Sequence, residues 1–153
     1  RRLGRAGSLR IGDAGARRAG SPHTIVDMDK PAVRIHRWDE IALEKVTEMI
    51  SRKVVTGERE MLAQIYLKRG AIVPMHSHES EQLTYVLQGA MRFLVGGEEL
   101  TLREGEVLHI PSWVPHQAEA LDDTFELDLF SPIRRDWLDG SDDYFQGDAA
   151  EKP

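Results

Sequence analysis

Residues 70–82 read Gly70-Ala71-Ile72-Val73-Pro74-Met75-His76-Ser77-His78-Glu79-Ser80-Glu81-Gln82, and Gly89 follows after six more residues. In an extended chain, residues two apart point to the same side, so His76 and His78 can bring two imidazoles to one point, as a divalent ion requires. Taken alone, this pair is a weak sign, because exposed histidines share such a spacing by chance. A second block strengthens it: Gly105-Glu106-Val107-Leu108-His109-Ile110-Pro111-Ser112-Trp113-Val114-Pro115-His116 carries a turn glycine, a strand, a proline-bounded bend and a third histidine.

Around these blocks the dominant period is two, the mark of half-buried strands. Met61, Ala63, Ile65 and Leu67 alternate with Leu62, Gln64, Tyr66 and Lys68. Similar runs cover 82–88, 91–95, 98–103, 107–110, 116–121 and 124–130. Turn signals stand at Thr56-Gly57, Gly70, Gly89, Gly96-Gly97, Glu104-Gly105 and Asp122-Asp123. Short strands at this spacing predict an all-β sandwich or barrel. Ile41 to Ile50 is ambiguous: Leu43, Val46 and Ile50 fit helical spacing, while the Val and Ile near its end suit a strand.

A chain of 153 residues is one domain's worth and can bury roughly 68–70% of the surface exposed by its unfolded form. With 41% hydrophobic and 30% charged residues, the composition is that of a soluble globular protein. Apolar runs stay well short of a membrane span, and the arginine-rich start lacks the apolar centre of a secretory signal, so a cytoplasmic location is expected. The chain has no cysteine, so a metal has to be held by histidine, carboxylate or amide groups. The net charge of -6 divides unevenly: residues 1–22 hold six arginines against Asp13, so the remainder carries a large negative excess. An acidic body repels phosphate backbones, which argues against a nucleic-acid partner.

The basic arm, residues 1–30, reads as disordered, and with no initial Met the functional start is expected at Met28 or the arm is an upstream extension. The barrel is expected over 31–138. Beyond it, the acidic segment 139–153 is expected to be a solvated tail, with its aromatics docking it onto the body.

The two histidine blocks resemble the two conserved motifs of the cupin superfamily. The likeness rests on Gly70, His76, His78, Gly89, Gly105, Pro111 and His116, and covers about residues 33–138. Gln82 stands where the family usually has Glu, Trp113 replaces Gly and Ala120 replaces Asn. Trp113 is the least comfortable departure, because a motif glycine often marks a backbone position that a side chain resists, and an altered loop on an intact barrel is expected. The resemblance implies a single cupin (double-stranded β-helix, jelly-roll) barrel with His76, His78, Gln82 and His116 as ligands of one divalent ion, Zn, Ni, Fe, Co or Mn. A neutral Gln82 would leave the ion its full charge and make it a stronger Lewis acid. Glu81 is a rival ligand, but on an extended segment it faces away from His78. His109 is expected to be a packed or edge residue, and His23 and His36 to be incidental.

Downstream, Asp128-Leu129-Phe130-Ser131-Pro132-Ile133-Arg134 together with His-x-His-x-x-Glu-Gln resembles the pectin-degradation cupins that act on 4,5-unsaturated uronates. Glu126, Asp128 and Phe130 share one face of this strand and Phe125, Leu127 and Leu129 the other; the alternation does not say which faces the lumen. The likeness implies that Asp128, Phe130 and Arg134 face the pocket. Their types suit a sugar acid: Arg134 would pair with its carboxylate, Phe130 would meet its ring and Asp128 would move protons. The expected function is therefore metal-dependent ring opening of such sugar acids. Alternatives are a metal-dependent dioxygenase of a small organic substrate and a non-catalytic small-molecule or sugar-binding module. Gln64 is a weak candidate for a supporting role at the site. A homodimer formed through edge strands is expected.

Overall fold

The computed structural model describes residues 32–145. The strands are β1 (Glu44–Lys45), β2 (Ile50–Thr56), β3 (Met61–Leu67), β4 (Ile72–His76), β5 (Glu81–Gln88), β6 (Ala90–Val95), β7 (Glu98–Arg103), β8 (Val107–Ile110), β9 (His116–Ala120) and β10 (Thr124–Ser131). A short helix, α1 (Arg135–Asp139), and a single 3-10 turn at Asp143–Phe145 follow. The strands form two antiparallel sheets, β1-β2-β3-β10-β5-β8 and β4-β9-β6-β7. This is the expected all-β jelly-roll architecture. The basic arm and residues 146–153 of the acidic tail lie outside the described residues. One compact unit begins at Ile35.

The alternation seen in the sequence becomes alternation of burial. On β3, Met61, Ala63, Ile65 and Leu67 are buried while Leu62, Gln64 and Tyr66 face outward. Met61, Met91, Val86, Ile110 and Phe130 are the fully enclosed apolar side chains. Each contributes about 1.5–3 kcal/mol relative to leaving it in water.

The ambiguous stretch contains no helix. Thr47 ends the short β1 with a tight turn, its Oγ1 accepting the backbone N–H groups of Met49 (3.1 Å) and Ile50 (3.0 Å). The chain then enters β2, whose seven residues pair with β3 from Ile50↔Leu67 to Thr56↔Met61. Tertiary pairing thus overrides the local 3.6-residue spacing.

Gly89 joins β5 to β6 at φ 93°, where a Cβ would lie 2.5 Å from the Asp123 carbonyl oxygen. Both the backbone angle and the close passage of the chain entering β10 therefore require glycine there.

β10 lies between β3 and β5 and settles the question of faces. Thr124, Glu126, Asp128 and Phe130 point inward and are buried, while Phe125, Leu127 and Leu129 point outward. On the outside, Phe125 stacks on Tyr66 of β3, with ring centroids 5.0 Å apart.

Candidate functional site

Three histidines meet at one end of the barrel. His76 closes β4 and is paired in register with His116, the first residue of β9. His78 lies in the loop between β4 and β5, held where its backbone carbonyl accepts the N–H of Trp113 at 2.8 Å. The ring centroids are 4.3 Å apart for His76 and His116, 5.0 Å for His78 and His116, and 5.5 Å for His76 and His78. One nitrogen from each of the three lies within 4.8 Å of the others.

The tautomers follow from the backbone. Each Nδ1–H donates to a carbonyl oxygen two residues away, at 2.8 Å in all three cases: His76 to Pro74, His78 to Ser80 and His116 to Val114. Nδ1 therefore carries the proton and Nε2 carries the lone pair. Nε2 of His78 and of His116 are buried with no hydrogen-bond partner. Burial, aided by the nearby positive charge of Arg134, lowers the imidazole pKa values, to about 3 for His76 and about 4 for His78, with His116 also lowered. The rings are neutral at pH 7, and neutral imidazoles with orphaned, converging lone pairs fit a divalent cation.

Gln82, buried on β5, lies beside this cluster. Its Nε2 donates to Thr84 Oγ1 at 2.8 Å, which leaves its carbonyl oxygen for a ligand. Thr84 in turn donates to Asp128 Oδ1 at 2.5 Å. Thr84 was not singled out in the sequence, although its place two residues after Gln82 puts it on the same face. Asp128 is buried, and desolvation pushes its carboxyl up to about 6 against the lowering effects of Thr84, Gln82 and Arg134. Phe130 meets the edge of His78 at 5.7 Å and Trp137 at 4.9 Å. Glu81 faces outward and pairs with His109 at 3.1 Å, away from the three-histidine cluster. Gln64 also lies on the outer face, where it accepts the Tyr66 hydroxyl, so it does not support the site.

Arg134 is buried beside the cluster, and its fork is already engaged. Nε and Nη2 donate to the two carboxylate oxygens of Asp136 at 2.9 and 2.6 Å, and Nη2 also reaches the Tyr144 hydroxyl at 3.3 Å. Nη1 takes part in no hydrogen bond among the described residues. The guanidinium stands 5.4 Å from the Phe130 centroid and 5.0 Å from that of Trp137.

The segment after α1 covers the mouth. Tyr144 stacks on His76, centroids 4.2 Å apart and planes 5° apart, and its hydroxyl accepts the Trp137 indole N–H at 3.2 Å. Asp142 accepts from Arg52 at 2.8 Å, and Arg52 lies 4.2 Å over the Trp137 ring. The expected docking of the aromatics is present. Asp136 and Asp142, by contrast, are partners of buried arginines rather than part of a solvated run. Arg52 was missed because a charged residue at an inward position between Ile50 and Val54 breaks the apolar alternation that marks a strand. Behind this cover lies a cavity of about 50 Å³, bounded by His76, Gln82, His116, Glu126, Asp128 and Phe130 among others.

A two-sheet barrel with three inward histidines at one end is the architecture of a cupin. The Cupin domain family model matches residues 64–131, and the chain belongs to the cupin superfamily. Among solved structures it is similar to KdgF from a Halomonas species, at 34% identity over 70% of this chain and all of the other, with a TM-score of 0.66. The pectin degradation protein KdgF of Dickeya dadantii is 29% identical over 103 residues, covering 65% of this chain and 94% of that protein. A likeness of fold extends to an RmlC-like cupin from Shewanella frigidimarina, at 24% identity over 69% and 96% of the two chains, with a TM-score of 0.65. No helix among the described residues is long and apolar enough to cross a membrane.

The barrel is intact around Trp113, which replaces the motif glycine. Trp113 takes φ 65°, the left-handed region that favours glycine, with its side chain 64% exposed.

Proposed function

We propose that this protein is a metal-dependent enzyme that opens the ring of 4,5-unsaturated uronic acid monosaccharides released in pectin or alginate breakdown. The observation that carries this reading is the Gln82–Thr84–Asp128 chain, which places a buried carboxyl beside three neutral imidazoles. The similarity to two KdgF proteins, one of them named for pectin degradation, supports a substrate derived from pectin. His76, His78, His116 and the Gln82 carbonyl would hold the ion, which supplies Lewis-acid polarisation of substrate oxygens.

The remaining work falls to side chains. Asp128, with a pKa lifted toward neutrality, is suited to accept and return a proton near pH 7. It takes the proton of the anomeric hydroxyl as the ring C–O bond breaks, leaving an aldehyde at the anomeric carbon and an enolate at the former ring oxygen. Return of that same proton from Asp128 to the far carbon of the former double bond completes the linear ketone. The reaction is an isomerisation, with no net gain or loss of atoms or electrons. Arg134 offers Nη1 and its positive charge to the substrate carboxylate, with Asp136 fixing its orientation. Phe130 and Trp137 form the apolar wall. Sugar pockets of ordinary size are several times larger than the present cavity (about 300–1,000 Å³), so entry requires the 142–145 segment to move aside.

Purified protein mixed with the unsaturated monouronate from a pectate or alginate lyase should remove the ultraviolet absorbance of the conjugated double bond. A chelator should stop the reaction, and oxygen should not be consumed. Loss of absorbance only with oxygen uptake would move the dioxygenase reading ahead, and binding without turnover would favour the binding module.

A homodimer is part of the same reading. Leu129, Leu83 and His109 form one outward row across β10, β5 and β8, and Leu127, Tyr85 and Val107 form the next. Leu83, Tyr85, Val107 and Leu129 are exposed there, an apolar face that a second copy would cover. Sedimentation of the protein and of a Leu83→Glu variant tests this: the variant should be monomeric.

A further inference from the structure

Glu126 has no task in the chemistry above, yet it is among the most enclosed polar residues of the barrel, 4% exposed. Its Oε2 is buried and has no hydrogen-bond partner. It borders the same cavity as His76, Gln82, His116 and Asp128, whose lining also includes Arg52 and the apolar Ile65, Val73, Phe93 and Ala118. Arg52 stands in the same cross-sheet row, in register with Ile65, which is in register with Glu126. Its guanidinium nevertheless turns to Glu44 and Asp142 and leaves Glu126 unpaired. A buried carboxyl with an unmet oxygen destabilises a fold, and such a group needs a reason.

We infer that Glu126 is a substrate-contacting residue that hydrogen-bonds a sugar hydroxyl on the side of the ring away from the three-histidine cluster. The inference rests on the proposed function and adds a specificity determinant to it. Strand geometry supplies the distance: Glu126 lies two residues from Asp128 on the same face of β10, about 7 Å along the strand. That is comparable with the breadth of a six-membered sugar ring, so a substrate with its reacting end at Asp128 presents its far hydroxyls to Glu126. Burial and the neighbouring Asp128 raise the Glu126 carboxyl well above its usual range, which favours the protonated form, and a protonated carboxyl offers both a donor and an acceptor. A hydroxyl needs the same pair. With the Arg52 guanidinium engaged by Glu44 and Asp142, Glu126 is the unpaired polar group of its row, so a sugar lacking the matching hydroxyl binds without loss only if Glu126 is also absent.

The test uses the full-length protein loaded with metal and the unsaturated monouronate. Glu126→Leu should raise KM by about tenfold or more, with kcat changed less than about threefold, because a contact made equally in ground and transition states is lost. Glu126→Gln keeps a donor and an acceptor and should recover most of the affinity. Substrates lacking the C2 or the C3 hydroxyl complete a cycle with Glu126→Leu, or with Glu126→Met if the leucine variant does not fold. One of the two deoxy sugars should lose affinity equally with the wild type and with Glu126→Gln, and lose less with the variants that remove the carboxyl. Turnover by the wild type with an unchanged KM in a folded Glu126→Leu, or no coupling to either deoxy sugar, overturns the anchor and leaves the ring-opening reading standing. Failure of the wild type to consume the monouronate overturns both.

Discussion

The two faces of β10 reverse the usual pattern. Inward lie Thr124, Glu126, Asp128 and Phe130, three polar residues and one aromatic; outward lie Phe125, Leu127 and Leu129. A strand serving only as a wall would bury its leucines. Here the lumen instead encloses carboxyls whose charged forms are disfavoured by burial. The difference teaches that the inner face of β10 encloses titratable groups at a cost in stability, while its outer face carries the apolar side chains that pack against neighbouring strands.

The sharpest way to break the comparison is at its reactive member. Asp128→Asn keeps the shape and removes the proton acceptor, so turnover should fall by about 10²- to 10⁴-fold while metal content, measured by elemental analysis, stays the same. An active variant would put the carboxylate outside the reaction. Next come paired truncations on the same strand. Phe130→Ala, at 1% exposure, should cost about 3–5 kcal/mol in denaturant unfolding. Leu129→Ala, 38% exposed, should cost below about 1 kcal/mol when measured at protein concentrations low enough to keep copies apart. Equal costs would mean that the faces are not distinguished by burial.

A pH series sharpens the inner face further. The folded-state pKa of Glu126 is raised above its unfolded value, so its contribution to stability is intact below about pH 4.5 and lost as pH rises toward the folded value. Across that window the folded state holds a proton that the unfolded state has released, and this residue lowers stability by about 1.4 kcal/mol per pH unit. Glu126→Gln should therefore gain stability relative to the wild type as pH rises above about 4.5, read as a widening difference in melting temperature. A pH-independent difference would mean that the carboxyl is ionised in the fold. The smallest effect is expected away from this strand: Trp113→Gly relieves a left-handed backbone and should stabilise by about 1 kcal/mol, since the side chain it removes is largely exposed.

Much of the fold was legible because strands announce themselves locally. The runs at 61–67, 98–103 and 107–110 coincide with β3, β7 and β8, and the glycine-marked turns fall between strands. β2 escaped notice because Arg52 occupies an inward position between Ile50 and Val54 and breaks the apolar alternation, so only pairing with β3 reveals the strand. At the site, the pairing of His76 with His78 was legible from spacing, since an extended chain sends alternate side chains one way. His116 joined them through the resemblance to the cupin motifs and, in the structure, through the register of β4 with β9. Arg52 and Asp142 were not legible, because their pairing spans ninety positions of sequence. Tyr144 was read as a docking aromatic, but its position over His76 depends on how α1 turns the chain back toward β4.

The sequence by itself determined the alternation of strands, the absence of thiolate chemistry and the two-residue spacing that lets His76 and His78 converge, because these follow from the covalent chain and its local geometry. Only the tertiary structure decided which face of β10 is the inside. Alternation is symmetric under exchange of faces, and the symmetry is broken only when β3 and β5 flank the strand and the second sheet closes over Glu126 and Asp128.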